Sequence, residues 1–192
     1  MDVSAFHTDG FLHLHDIFSD RVGPLREALA NEPTRHGVHA WPEWNEVATD
    51  ARLLHFARAC LGAEPVLHQS IFLVKQPLEG ESFPPHQDGA YFGSEFPVYV
   101  IAYVYLDDVT PDNGSIGFVP GSHLTGLLPH ERDRHGGDLF VPLQEYGMDR
   151  LVVPEALQGD VVIYGLWTVH GSAPNRSDRL RRAVRLGYTA KQ

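Results

Sequence analysis

Three side chains and one cation could do chemistry together in this sequence. His86 and Asp88 flank Gln87, His170 lies near the far end, and Arg181 follows it by eleven residues. On an extended strand, residues i and i+2 point to the same face, so an imidazole and a carboxylate at that spacing can reach one ion. A distant histidine on a neighbouring strand completes the set. Two imidazoles and a carboxylate on one side of a metal leave its opposite positions open, a donor set suited to Fe(II) and dioxygen. The pair alone is a weak signal, because the chain holds twelve histidines and a decoy stands at His7-Thr8-Asp9. The competing reading of His86 and Asp88 is a turn with satisfied polar side chains. Arg181 has a planar guanidinium that can grip a carboxylate with two parallel hydrogen bonds. Its bland reading is a surface salt bridge, and Arg179 and Arg182 leave the register open.

Strands must position such a set, and the sequence turns strand-like at Val66. Residues 66–76 alternate Gln69, Ile71, Leu73 and Lys75 with Ser70, Phe72 and Val74. Residues 98–106 are apolar on both faces, which predicts a central strand covered on both sides. Asp112-Asn113-Gly114 signals a turn; 116–120 and 161–164 read as short strands. On the last strand, 180–188, Arg181, Ala183 and Arg185 share a face. Upstream, a helix over 24–30 is capped by Ser19 or Asp20. A second starts at Thr49 or Asp50, buries Leu53, Leu54, Phe56 and Ala57, and ends at Gly62. Residues 31–44 read as loop, with Trp41 and Trp44 in the core rather than at a substrate entrance. The charged stretch 121–147 is a candidate lid. His13 and His15 alternate with Leu12, Leu14 and Ile17 as on an edge strand and read as surface residues without metal; His130 and His135 read as solvated. Helices followed by many short strands predict a mainly β fold, a double-sheet jelly roll with flanking helices. The expected organisation is one domain over 1–192, with a helical flank over 1–65 and a jelly-roll core over 66–188.

The context of the ligands is distinctive. His86 follows Ser82-Phe83-Pro84-Pro85 and precedes Gly89-Ala90-Tyr91-Phe92-Gly93, and the distal histidine lies in Trp167-Thr168-Val169-His170-Gly171-Ser172-Ala173-Pro174-Asn175. With Asp112-Asn113-Gly114-Ser115 and Pro120-Gly121-Ser122-His123, these segments make the chain resemble the phytanoyl-CoA dioxygenase family of Fe(II)- and 2-oxoglutarate-dependent oxygenases. The resemblance runs from about Phe6 to Tyr188. It implies a double-stranded β-helix, a cupin-like barrel, with His86, Asp88 and His170 on Fe(II). Arg181 and Ser172 would hold the distal carboxylate of 2-oxoglutarate, and Gln69 and Lys75 would contact co-substrate or substrate. Asp88 disfavours halogenation, since related halogenases lack the carboxylate and bind chloride there. The implied reaction is hydroxylation of a small molecule with dioxygen, releasing succinate and CO2; desaturation and cyclisation are variants. The resemblance also turns the Arg181 face inward, so Arg185 needs an acidic partner from the protein or the substrate. Tyr91, Phe92 and Trp167 are candidate pocket walls, and Gly89, where relatives carry a bulky aromatic, would widen the pocket. His123 is taken as structural. A cupin-like metalloenzyme without 2-oxoglutarate and a non-catalytic ligand-binding barrel are the alternatives.

Composition limits the partners. At 192 residues with a net charge of −10, the chain is unsuited to nonspecific nucleic-acid binding. Arg176, Arg179, Arg181, Arg182 and Arg185 are the exception and lean towards an anionic substrate. Cys60 is the only cysteine, which excludes an internal disulfide and fits a reducing compartment. The longest apolar run, 98–106, is too short to span a bilayer, and the first residues lack a secretory pattern. A cytoplasmic protein is expected, with its oligomeric state open.

Overall fold

The computed structural model describes residues 2–78, 81–93, 95–96, 98–132 and 138–191. The first third contains α1 (Ser4–Asp9), β1 (Phe11–Leu14), α2 (Val22–Ala28), β2 (Arg35–His36), α3 (Pro42–Ala48) and α4 (Ala51–Leu61). Next come β3 (Pro65–Lys75), β4 (Phe83–His86), the single turn α5 (Gly89–Phe92), β5 (Tyr99–Tyr105) and β6 (Ile116–Phe118). The chain continues through β7 (Glu131–Arg132), β8 (Leu139–Phe140), α6 (Leu143–Tyr146), β9 (Val161–Gly165), β10 (His170–Ser172) and β11 (Arg181–Ala190).

Six strands form one antiparallel sheet in the order β1-β9-β5-β11-β3-β2, and β4-β10-β6 form a second. The central strand β5 is buried along its whole length, and its alternation sorts two cores. Val100, Ala102 and Val104 pack with Val184 and Leu186 against Leu25, Trp44, Leu53 and Ala57 of the helices. Ile101, Tyr103 and Tyr105 turn the other way, towards Ile116 and Phe118 of the smaller sheet. This is the expected jelly roll with helices on its outer face. The inner layer is where chemistry can occur, because the two sheets part there around polar side chains.

The short helix leading to a first edge strand, implied for the opening residues, is present as α1 and β1, and β1 edges the main sheet by pairing with β9. Several local expectations change. α2 starts at Val22 without a side-chain cap. Asp50 does cap α4, accepting from Arg52 N at 2.9 Å. The stretch read as loop holds β2 and the start of α3; Pro42 is a first-turn proline, a position where its missing N–H costs nothing. Trp44 is fully buried in the helical core. Within 121–147, β7 pairs with β8, and Val141 N donates to Pro85 O at 2.9 Å. Part of the candidate lid is thereby tied to the strand that carries His86. His135 lies outside the described residues. No helix among the described residues is long and apolar enough to cross a membrane.

Candidate metal and anion site

The small sheet builds the centre. β10 runs antiparallel to β4 with His170 directly opposite His86, and their ring centroids are 4.3 Å apart. Asp88 arrives differently from the expectation. β4 ends at His86, and Asp88 takes helical angles (φ −58°, ψ −32°) as it opens α5. A tight turn, not strand alternation, therefore brings the carboxylate round. Ligand atoms of His86, Asp88 and His170 lie within 4.8 Å of one another. His86 Nδ1–H donates to Pro84 O at 2.8 Å and His170 Nδ1–H to Thr168 O at 2.9 Å. Both Nε2 lone pairs are left for a metal, the tautomer that such backbone bonds select.

Electrostatics keep the centre ready for a cation. Burial, with His86 alongside, pushes His170 down to about 3, so its imidazole is neutral. Burial opposes ionisation of Asp88, but the Arg185 guanidinium and the two imidazoles bring it down to about 2. Arg185 donates to Asp88 Oδ2 at 2.6 Å and to Gln69 Oε1 at 2.9 Å. The acidic partner it needed is thus the metal-site aspartate. Gln69, expected at co-substrate, instead holds Arg185.

A second polar cluster sits farther along the same cavity. In the β3–β11 ladder Lys75 is opposite Arg181, and both are buried. Lys75 Nζ donates to Ser172 Oγ at 2.7 Å and to Ala173 O at 2.5 Å. Arg181 donates to Tyr103 Oη at 2.5 Å, while its Nε is buried with no hydrogen-bond partner. Among the described residues neither cation has an ion pair. Burial, then the neighbouring Arg181, pushes Lys75 down to about 7. Two adjacent buried cations and an orphaned donor make a site that a carboxylate completes.

The cavity joining both clusters is about 480 Å³ and takes in His86, Asp88, His170, Ser172, Arg181 and Arg185. Ile71, Leu73, Val74, Phe83 and Ile116 line the rest, with Glu81 and Gln76. Three expected wall residues lie elsewhere. Tyr91 is exposed; its ring meets the edge of His86 and its hydroxyl accepts from Leu139 N at 2.9 Å. Phe92 packs on Phe96 and Tyr99. Trp167 covers Gly89, where an added Cβ would overlap the indole. Gly89 therefore does not widen the cavity; the space is filled by an aromatic from a distant segment.

Sequence reasoning passed over Gln87. Fully buried, it donates through Nε2 to Gly126 O at 2.9 Å and Trp167 O at 2.6 Å, and its Oε1 accepts from Leu128 N at 2.8 Å. Its backbone N–H donates to His130 Nε2 at 3.0 Å, so His130 is not a solvated loop residue. The only signal for Gln87 was its place between two ligands. His123 is structural, donating to His7 O at 3.1 Å.

The model of the family described as phytanoyl-CoA dioxygenase matches residues 26–183. A phytanoyl-CoA dioxygenase domain-containing protein 1 from Danio rerio is 30% identical over 176 residues, covering 86% of this chain and 60% of its own. An ectoine dioxygenase from Sphingopyxis alaskensis is 30% identical over 228 residues, covering 97% of this chain and 74% of its own. The crystal structure of EctD from S. alaskensis with 2-oxoglutarate and 5-hydroxyectoine superposes with a TM-score of 0.82 at 27% identity, covering 99% of this chain and 76% of that one. EvdO2 from Micromonospora carbonacea, at 23% identity and TM-score 0.87, covers 99% of this chain and 91% of its own and shares the fold. The chain spans 60%, 53% and 60% of the length of three curated relatives, from D. rerio, Bos taurus and Oryza sativa.

Proposed function

Because this chain belongs to the phytanoyl-CoA dioxygenase family, we propose that it is an Fe(II)- and 2-oxoglutarate-dependent oxygenase that hydroxylates a small molecule. The observation that carries this reading is the pairing, in one cavity, of the His86-Asp88-His170 cluster with the anion site at Arg181 and Lys75. Iron bound there would supply dioxygen activation coupled to loss of CO2 from 2-oxoglutarate, leaving succinate and an oxidised substrate C–H bond.

The side chains divide this work. His86 and His170 present Nε2, and Asp88 an ionised carboxylate held by Arg185. Arg181, Lys75 and Ser172 would take the distal carboxylate, with Tyr103 bracing the guanidinium. The orphaned Arg181 Nε is the specific fit to that group. An enzyme using its metal without a dianionic co-substrate has no need of this buried pair, which disfavours the cupin-like alternative. A non-catalytic barrel has no need of an ordered metal triad. Asp88 would supply to the metal the carboxylate that related halogenases lack, so hydroxylation is the favoured outcome.

The anionic-substrate lean loses its basis. Of the five arginines, only Arg181 and Arg185 line the cavity. Arg182 bonds Asp107 at 2.7 Å, and Arg176 and Arg179 are exposed. With co-substrate on Arg181 and Asp88 on Arg185, the remaining wall of Ile71, Leu73, Phe83 and Ile116 suits a substrate with an apolar body. A reducing cytoplasm is the proposed location, fitting the lone Cys60 and the need for ferrous iron. The test is succinate release with Fe(II), 2-oxoglutarate and ascorbate across a panel of small apolar and acidic compounds. Release that needs both iron and Arg181 supports the proposal. Absence of release, together with no 2-oxoglutarate binding by calorimetry, would sink it.

A further inference from the structure

The two histidines read as surface residues share a buried acid. His13 lies on β1, His15 just past its end, and Asp160 immediately before β9, the partner of β1. His13 Nε2–H donates to Asp160 Oδ2 at 2.9 Å, and His15 Nδ1 meets the same oxygen at 3.3 Å. Their ring centroids are 4.1 Å apart. Leu157 N–H donates to that oxygen as well, at 3.1 Å. Three donors crowd one carboxylate oxygen, which has two lone-pair sites. The other oxygen, Oδ1, accepts from Asp16 N at 2.8 Å. Asp16 holds φ at +59°, a left-handed conformation that aspartate tolerates better than most residues. Backbone amides thus fix both oxygens of Asp160 before any ligand arrives.

We propose that His13, His15 and Asp160 form a second metal site, for a divalent ion of the zinc type, separate from the His86 centre. Their ligand atoms lie within 4.8 Å of one another, a spread that small rotations can close on an ion at about 2.0–2.2 Å. Bound metal replaces two hydrogen bonds on Asp160 Oδ2 with one metal–oxygen bond and leaves Leu157 on the remaining lone pair. Each ring proton moves to the other nitrogen of its imidazole, so neutral rings bind without net proton release. The His15 side chain is 74% exposed, which opens the fourth coordination position to water. Two nitrogens and one carboxylate oxygen match zinc better than Mg²⁺ or Ca²⁺, which favour all-oxygen shells. The ion would tie the end of β1 to the start of β9, and it stands apart from the oxygenase reading.

Equilibrium dialysis against micromolar Zn²⁺, followed by metal analysis, tests this. The expected result is two ions per chain for the unaltered protein, one for His15→Ala, one for His86→Ala and none for the double variant. An ion count that is the same in the unaltered protein and in His15→Ala overturns the proposal, whatever the His86 centre binds. Melting of His86→Ala with and without Zn²⁺ gives a second reading, because a ligand that binds only the folded state raises Tm. A rise that disappears when His15→Ala is added supports the site. No rise, or an equal rise in both proteins, overturns it.

Discussion

Arg185 donates to the Asp88 carboxylate at 2.6 Å, on the oxygen that also lies 3.7 Å from His170 Nε2. A largely enclosed cation from the large sheet thereby orients a metal ligand carried at the end of a strand of the small one. Removing one partner of such a pair leaves a buried uncompensated charge, at a cost of about 3–5 kcal/mol. Arg185→Leu should lower the urea-unfolding free energy of the metal-free protein by roughly 3 kcal/mol. Adding Fe(II) should recover part of the loss, since the metal then balances Asp88. Equal losses with and without metal would show that Arg185 merely packs.

Arg181 and Lys75 make a testable anion site. Hydrogen bonds to charged groups contribute about 1.5–3 kcal/mol each. Arg181→Met should therefore weaken 2-oxoglutarate binding by roughly tenfold to a hundredfold. Arg181→Lys should restore little, lacking the planar fork. Calorimetry with 2-oxoglutarate measures both without turnover.

Lys75 also predicts a pH dependence. Burial and Arg181 hold it at about 7, against an ordinary 10.5. A dianion prefers the protonated amine, so 2-oxoglutarate affinity should fall as pH rises above about 7, and Lys75→Met should flatten the profile. Between those two values the unfolded chain keeps a proton that the unliganded folded chain has lost. Stability without ligand should therefore rise with pH across that window. Urea unfolding from neutral to alkaline pH checks the sign.

His170 acts at the other end of the scale. Its pKa falls from 6.5 to about 3 through burial and the adjacent His86. As pH drops through that interval the unfolded chain takes up a proton that the folded one refuses, so stability should decline. Asp88 extends the decline, because its stabilisation is present above its ordinary 3.8 and is lost towards about 2. His170→Asn should remove the upper part of the slope in a series of thermal melts.

Gly89 and Trp167 test the filled space beside the ligand turn. An added methyl at Gly89 would overlap the indole, and overpacking of this kind costs about 1–3 kcal/mol. Gly89→Ala should destabilise by that amount. Combining it with Trp167→Leu should cost less than the sum of the two single changes, as a double-mutant cycle would show.

Much of the centre was legible because its signals are local or periodic. His86-x-Asp88 and the arginine eleven residues after His170 are spacings, and the alternation of β5 and β11 assigns faces without coordinates. What escaped depended on contacts between distant segments. Tyr91, Phe92 and Trp167 were placed in the wall because they neighbour ligands in sequence, whereas α5 carries Tyr91 and Phe92 away from the cavity and Trp167 packs over Gly89. The filler beside Gly89 comes from near β10, and nothing local announces it. Gln87 looked like a spacer until its carboxamide met Gly126, Leu128 and Trp167. Residues 31–44 read as loop because a helix-starting proline such as Pro42 and a loop proline look alike in sequence.

The last strand also acts as a pair of calipers. Arg181 and Arg185 are separated by four residues on one rail, about 13 Å at roughly 3.3 Å per residue. In the proposed function one marks the carboxylate seat and the other, through Asp88, the iron seat. The two cations thus set the distance between the anion site and the metal-ligand cluster, and that distance is written into backbone spacing. Inserting a single residue between the marks would turn one of them to the outside and erase the scale.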